Sequence, residues 1–218
     1  MIERIDLQLI RMIAHAKSLL ERDLGLRIED QVTMWGFSAS GDFVDRFCML
    51  HPEKVKAAVT GGCHVMLPLS EYNGENLPYP IGLYDYQKIT GREFDADAFS
   101  KIDRFIFRGD RDKIGWITSN GKKTPTEDYY RLHWVPLFEK DKKRPVTVDG
   151  NITEAEEEQI RYRIFGNEAS YYQHFLKTKA LCENMGFKRQ RYRVYHETGH
   201  QITDEINDDY EEIFGERA

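Results

Sequence analysis

The chain has 218 residues, 31 Lys and Arg against 37 Asp and Glu, a formal net charge of −6 and 40% hydrophobic residues, the composition of one soluble globular domain. Mild acidity argues against a nucleic-acid partner, because neutralising phosphates takes a basic face. No apolar run approaches the roughly 18 residues of a membrane span, and Glu3, Arg4 and Asp6 stand where a leader would be basic and then apolar, so no membrane partner and a cytoplasmic location are expected. Cys48, Cys63 and Cys182 are too few and too scattered for a disulfide framework or a zinc site, and read as reduced, buried thiols.

In chain order, Ile5, Leu9, Met12, Ile13, Ala16, Leu19 and Leu20 recur at helical spacing, which predicts an amphipathic helix over residues 5–20 that ends near Gly25. Val32-Thr33-Met34-Trp35-Gly36-Phe37 reads as a strand, and residues 39–50 regain helical periodicity at once. Strand therefore passes to helix across a very tight turn. Residues 55–60 predict a second buried strand, ended by Gly61-Gly62, and the stretch to about residue 100 is mostly loop with a short helix over 96–101. Residues 104–108 predict a third strand. Residues 113–167 carry prolines, a basic stretch and an acidic run, and read as a partly helical, cap-like insertion within the single domain. A helix over 170–185, a fourth strand over 191–195 and a helix over 203–214 complete the chain. Strands alternating with helices imply right-handed crossovers and a predominantly parallel sheet with flanking helices, so the fold class is α/β.

The chemistry gathers at the strand ends. Gly36-Phe37-Ser38-Ala39-Ser40-Gly41 spans the strand-to-helix turn, where a serine is lifted above the sheet between small residues two places before and after it. Gly36 and Ser40 meet that demand for Ser38, whereas Asp42 fails it for Ser40. The N–H of Ala39, at the helix start, is placed to donate to a developing oxyanion. A serine hydroxyl needs a base, itself oriented by a carboxylate. Gly109-Asp110-Arg111-Asp112 follows the third strand and His196-Glu197-Thr198-Gly199-His200 the fourth. Catalytic groups of open α/β sheets collect at the carboxyl ends of strands, so the three turns are expected to converge.

On these residues the chain resembles the α/β-hydrolase superfamily over nearly its whole length. It looks most like the esterase and polyester-depolymerase-like branch, whose flavour is carried by Asp6-Leu7-Gln8-Leu9-Ile10, His51-Pro52-Glu53-Lys54-Val55-Lys56-Ala57 and Gly91-Arg92-Glu93-Phe94-Asp95. The resemblance implies a catalytic triad of Ser38, Asp112 and His200. The family places its acid three residues after the glycine, which selects Asp112 over Asp110. It further implies hydrolysis of a small carboxylic ester through an acyl-enzyme, with no metal or organic cofactor.

Simpler readings stand beside these. His196 reads as a strand-end residue, because Gly199 frees the backbone that brings His200 to the elbow. His15, His51, His64, His133 and His174 read as surface or locally hydrogen-bonded. Cys63-His64 suggests a thiol nucleophile, but nothing in the sequence lowers its pKa, and a buried or loop role is favoured. Tyr129, Tyr130, His133, Trp134 and Phe138 serve equally as rim residues or as the wall of an acyl or aryl pocket. The sequence also departs from the family. Only 37 residues precede Ser38, with one helix and no His-Gly-Gly turn, so the N-terminal strands and the second oxyanion donor are expected to be missing. The elbow strand would then be an exposed edge that invites a homo-oligomer, and an extension upstream of Met1 would explain the deficit. A noncatalytic remnant or interaction subunit of the fold is the rival function, and a serine peptidase is the alternative within the enzyme class.

Overall fold

A computed structural model describes residues 4–112, 154–165 and 171–215. The expected strand-to-helix alternation is present. Helix α1 (Ile5–Leu24) is closed by Gly25, and strand β1 (Val32–Phe37) runs straight into α2 (Ala39–Leu50). After one 3₁₀ turn comes β2 (Val55–Gly61), then a short hairpin of β3 (Glu71–Tyr72) and β4 (Glu75–Asn76), and helices α3 (Tyr86–Thr90) and α4 (Ala96–Ser100). Strand β5 (Asp103–Gly109), helices α5 (Glu154–Phe165) and α6 (Tyr171–Asn184), strand β6 (Gln190–Tyr195) and helix α7 (Asp204–Phe214) follow. The hairpin lies where sequence predicts loop, because its two-residue strands are too short to show an alternating pattern. The aromatic set 129–138 and most of the expected cap lie outside the described residues.

The strands form a parallel sheet in the order β1-β2-β5-β6. Alternation along the strands divides the apolar residues between its two faces. Ala58 joins Val44, Phe47, Cys48 and Met49 beneath α2, with Leu9 and Ile10 of α1 and Met34 of β1 added at the margin. Ile106 packs with Phe175 of α6 on that same face. Ala57, Val59, Phe105, Phe107 and Tyr195 face the other way, onto Ile206 of α7. Strand β2 is buried along its length except at Lys56, whereas β1 alternates half-buried with exposed and leaves Trp35 39% exposed. That difference marks β1 as an edge strand covered on one face.

Buried charge is paired. Asp45 of α2 accepts from the Arg104 guanidinium and from the Met66 N–H, joining helix, sheet and following loop. Asp6 accepts from His51 at 2.7 Å and from Arg4, which fastens the start of α1 and holds the Asp6 carboxyl well below the usual carboxylate range. His51 thus proves to be a buried long-range partner rather than a surface residue. Among the described residues, no helix is long and apolar enough to cross a membrane.

Candidate functional site

The parallel register sets Phe37 beside Gly61, Gly61 beside Phe107, and Gly109 beside Tyr195, so the turns after all four strands open at one end of the sheet. Ser38 sits at φ 59°, ψ −130°, a backbone conformation that L-residues rarely adopt. Its own backbone holds it there: its N–H donates to Gly61 O at 2.9 Å, and its C=O accepts from Asp42 N–H at 3.0 Å. Ser40 locks the turn from within, its Oγ accepting from Phe37 N–H at 2.9 Å and donating to Phe37 O at 2.8 Å. Gly36 is obligatory by close approach, since a Cβ there would lie 2.3 Å from Ser40 O. The first turn of α2 leaves the Ala39 N–H without an intrahelical acceptor, which suits it to a developing negative charge.

Asp112 and His200 meet as expected, His200 Nδ1 lying 3.1 Å from Asp112 Oδ2. In the tautomer that donates from Nδ1, Nε2 keeps the lone pair a general base requires. The imidazole packs against Phe37, the residue before Ser38, with ring centroids 4.6 Å apart, and it covers Gly62, whose added Cβ would lie 2.9 Å from His200 Cε1. Among the described residues Ser38 Oγ makes no hydrogen bond to His200, a bond that often tightens only on substrate binding. Asp110 pairs instead with His196 at 3.1 Å, and Arg111 with Glu197 at 2.6 Å, on the outer side of the same two turns.

Two local expectations need correction. Gly199 has neither a positive φ nor a neighbour that a Cβ would strike. The turn that delivers His200 is made by Glu197 at φ 55°. His64 is half-buried rather than a surface residue: its backbone N–H donates to Asp42 Oδ1 at 2.9 Å, and burial, with the Arg161, Arg108 and Arg46 charges, lowers its pKa well below the usual imidazole value. Burial raises Asp42 to about 6 despite Arg46. The Cys63 thiol is pushed well above its ordinary value by burial and by Asp42 and Asp45, so it stays neutral and is unsuited to nucleophilic work. All three cysteines are free and buried, as the sequence suggests.

Arg108 is the site residue that sequence reasoning missed. It is buried, its Nε 3.3 Å from Asp112 Oδ2 and its Nη1 donating to Cys63 O at 3.2 Å. The available signal was an arginine inside the apolar run Phe105-Ile106-Phe107-Arg108, four residues before the acid. No group of three metal-ligating side chains occurs among the described residues.

No protein-family model matches the chain, and comparison with curated proteins gives no match. Among solved structures the chain is similar to LpqC, a poly(3-hydroxybutyrate) depolymerase from Bordetella parapertussis, at 17% sequence identity and a TM-score of 0.43, over 95% of this chain. The chain spans 58% of the length of that protein.

Proposed function

We propose that the protein is a serine hydrolase that cleaves small carboxylic esters. The observation that carries this reading is the pairing of a positive-φ serine between β1 and α2 with a His200–Asp112 couple at the same end of the sheet. A backbone strain of about 1–3 kcal/mol persists only where the surroundings over-determine it, and such strain clusters at functional sites. Ser38 Oγ attacks the acyl carbon while its proton passes to His200 Nε2. Asp112 holds the imidazole and balances the charge it acquires, and the Ala39 N–H donates to the tetrahedral oxyanion. The ester C–O bond then breaks, the leaving alkoxide takes the proton from His200, and water admitted on the same base releases the acid and restores Ser38.

The pocket wall is proposed to come from residues 113–167, closing over the elbow. Supporting this, Ile160, Ile164 and Phe165 of α5 pack on Leu67, Leu77 and Ile81, in the excursion that leaves the carboxyl end of β2. Arg163 of the same helix pairs with Glu75 at 2.9 Å.

A serine-directed fluorophosphonate tests the assignment directly. Wild type should be labelled and should hydrolyse short-chain aryl esters, and Ser38→Ala should lose both while keeping its melting temperature. Labelling that survives Ser38→Ala would refute the nucleophile. A folded wild type that is not labelled at all would favour the noncatalytic reading.

A further inference from the structure

The triad leaves one of its neighbours without a task. Arg108 is a buried guanidinium near the end of β5, a position its strand neighbours fill with apolar core. Its Nε approaches Asp112 Oδ2 at 3.3 Å, the same oxygen that His200 Nδ1 meets at 3.1 Å. Its Nη1 donates to the carbonyl of Cys63 at 3.2 Å, in the segment whose Gly62 underlies the His200 ring. One oxygen thus faces both a permanent cation and a titratable base, and one side chain spans from the acid to the floor beneath that base.

We propose that Arg108 is a positioning residue that supplies the buried counter-charge to Asp112 and keeps it aimed at His200, an inference that rests on the triad reading above. A general base must be neutral before it acts, so resting His200 supplies no counter-charge to Asp112. The Asp112 side chain is 1% exposed, and a buried charge is costly unless it is paired. Arginine does not lose its own proton and offers a fixed fork of donors, so it supplies the counter-charge in the resting site. When His200 accepts the Ser38 proton, Asp112 attracts the imidazolium and Arg108 repels it. The proton is then held firmly enough for the intermediate to form and loosely enough to reach the leaving alkoxide. A lysine offers a point charge on a flexible stem and cannot reach both Asp112 and Cys63 O with the same rigidity.

Among the described residues, several charged groups around Arg108 and Asp112 have partners or surroundings of their own. Asp110 meets His196, and Arg111 meets Glu197. Asp45 meets Arg104, and burial keeps Cys63 and His64 uncharged. Asp42 lies against His64 N–H and senses Arg46 and Arg161.

The experiment uses the 218-residue chain and follows fluorophosphonate labelling rate and aryl-ester kcat and KM per labelled site across pH, for wild type, Arg108→Met and Arg108→Lys. Arg108→Met should lower the labelling rate and kcat by about tenfold or more with little change in KM, since misaligned reacting groups cost rate rather than binding. Its acidic limb should move to higher pH, because the variant lacks the cation whose repulsion opposes a positive charge on the imidazole. Arg108→Lys should keep the limb near the wild-type pH while losing part of the rate. Wild-type rate and limb in Arg108→Met would overturn the proposal, as would equal limb shifts in the Met and Lys variants, which would indicate packing alone. If Arg108→Met does not fold, Arg108→Gln is judged by the same criteria. A wild type that is never labelled, or a Ser38→Ala that is, refutes the triad reading itself and is distinguishable from failure at Arg108.

Discussion

Gly62→Ala puts a methyl group between the base and the aromatic ring it leans on, without replacing any group that carries out chemistry. Gly62 has φ +60°, and an ideal Cβ built there lies 2.7 Å from Phe37 Cε2 and 2.9 Å from His200 Cε1. Carbon atoms pack best from about 3.5 Å, so the two rings must together retreat by about 0.6–0.8 Å, or the turn must open. The positive φ adds about 1–2 kcal/mol for a non-glycine residue in the left-handed region. Neither cost should unfold the protein, because what the methyl strikes is the edges of two side chains. The His200 ring is also tethered through Nδ1 to Asp112, so it pivots rather than leaves. A misplacement approaching 1 Å costs about 10²-fold in rate, and a shift of this size should therefore lower kcat by about 10- to 100-fold.

The assay is aryl-ester turnover per phosphonate-labelled site, run beside thermal unfolding. A melting temperature lowered by only a few degrees with the predicted loss of kcat supports the placement of His200 over Gly62. Wild-type kcat in a folded Gly62→Ala would refute it. Gly36→Ala is the contrast, since its Cβ would meet the backbone carbonyl of Ser40 at 2.3 Å. It should fail at the level of folding, with soluble yield lost before activity can be read.

Three further outcomes follow. Asp112→Asn should reduce activity by about 10³–10⁴-fold by presenting the wrong tautomer to His200, while Asp110→Asn, whose carboxylate pairs with the exposed His196, should cost about tenfold at most in the same ester assay; equal losses would leave the acid unassigned. Asp42 is raised by burial to about 6 from 3.8, so the folded state binds its proton more tightly and stability falls as pH rises between those values; Asp42→Asn should therefore raise stability by on the order of 2 kcal/mol at pH 7.5 and by nothing at pH 3.5, read by denaturant unfolding. Trp35→Lys, on the open face of the edge strand, should suppress self-association seen by light scattering, and a wild type that stays monomeric at high concentration would contradict the edge argument.

What was legible in the sequence was whatever depends on a single period or a single turn. Residues 32–37 and 39–50 were readable to the residue, because β-rich apolar residues switch to helical spacing across one small-residue junction. Asp112 and His200 were readable because the ends of a parallel sheet lie together, so order along the chain becomes proximity in space. Long-range electrostatic partners carry no such local signal. His51 finds Asp6 across 45 positions, and Arg104 finds Asp45 across 59, with nothing in either neighbourhood to announce the pairing. The turn before His200 hides for a related reason: glycine is the residue most often at positive φ, so sequence points to Gly199, whereas in the fold the positive φ falls on Glu197.

The contacts that hold the proposed site all come from one side of β1. Ser38 N–H reaches Gly61 on β2, His200 leans on Phe37 and Gly62, and Asp112 is gripped from β5 through Arg108. None of these contacts uses the other edge of β1, which has no strand partner among the described residues. Nucleophile, base and acid can therefore be assembled within four strands, whereas a second donor to the oxyanion has no assigned source among the described residues. One such donor is worth about 3–4 kcal/mol in the transition state and nothing in a phosphonate-labelling yield taken to completion. The two measurements consequently separate the parts of the machinery. Full labelling of Ser38 with turnover depressed by about 10²–10³-fold would locate the deficit in oxyanion stabilisation, and ordinary esterase turnover from a monomer would show that a second donor is already in place.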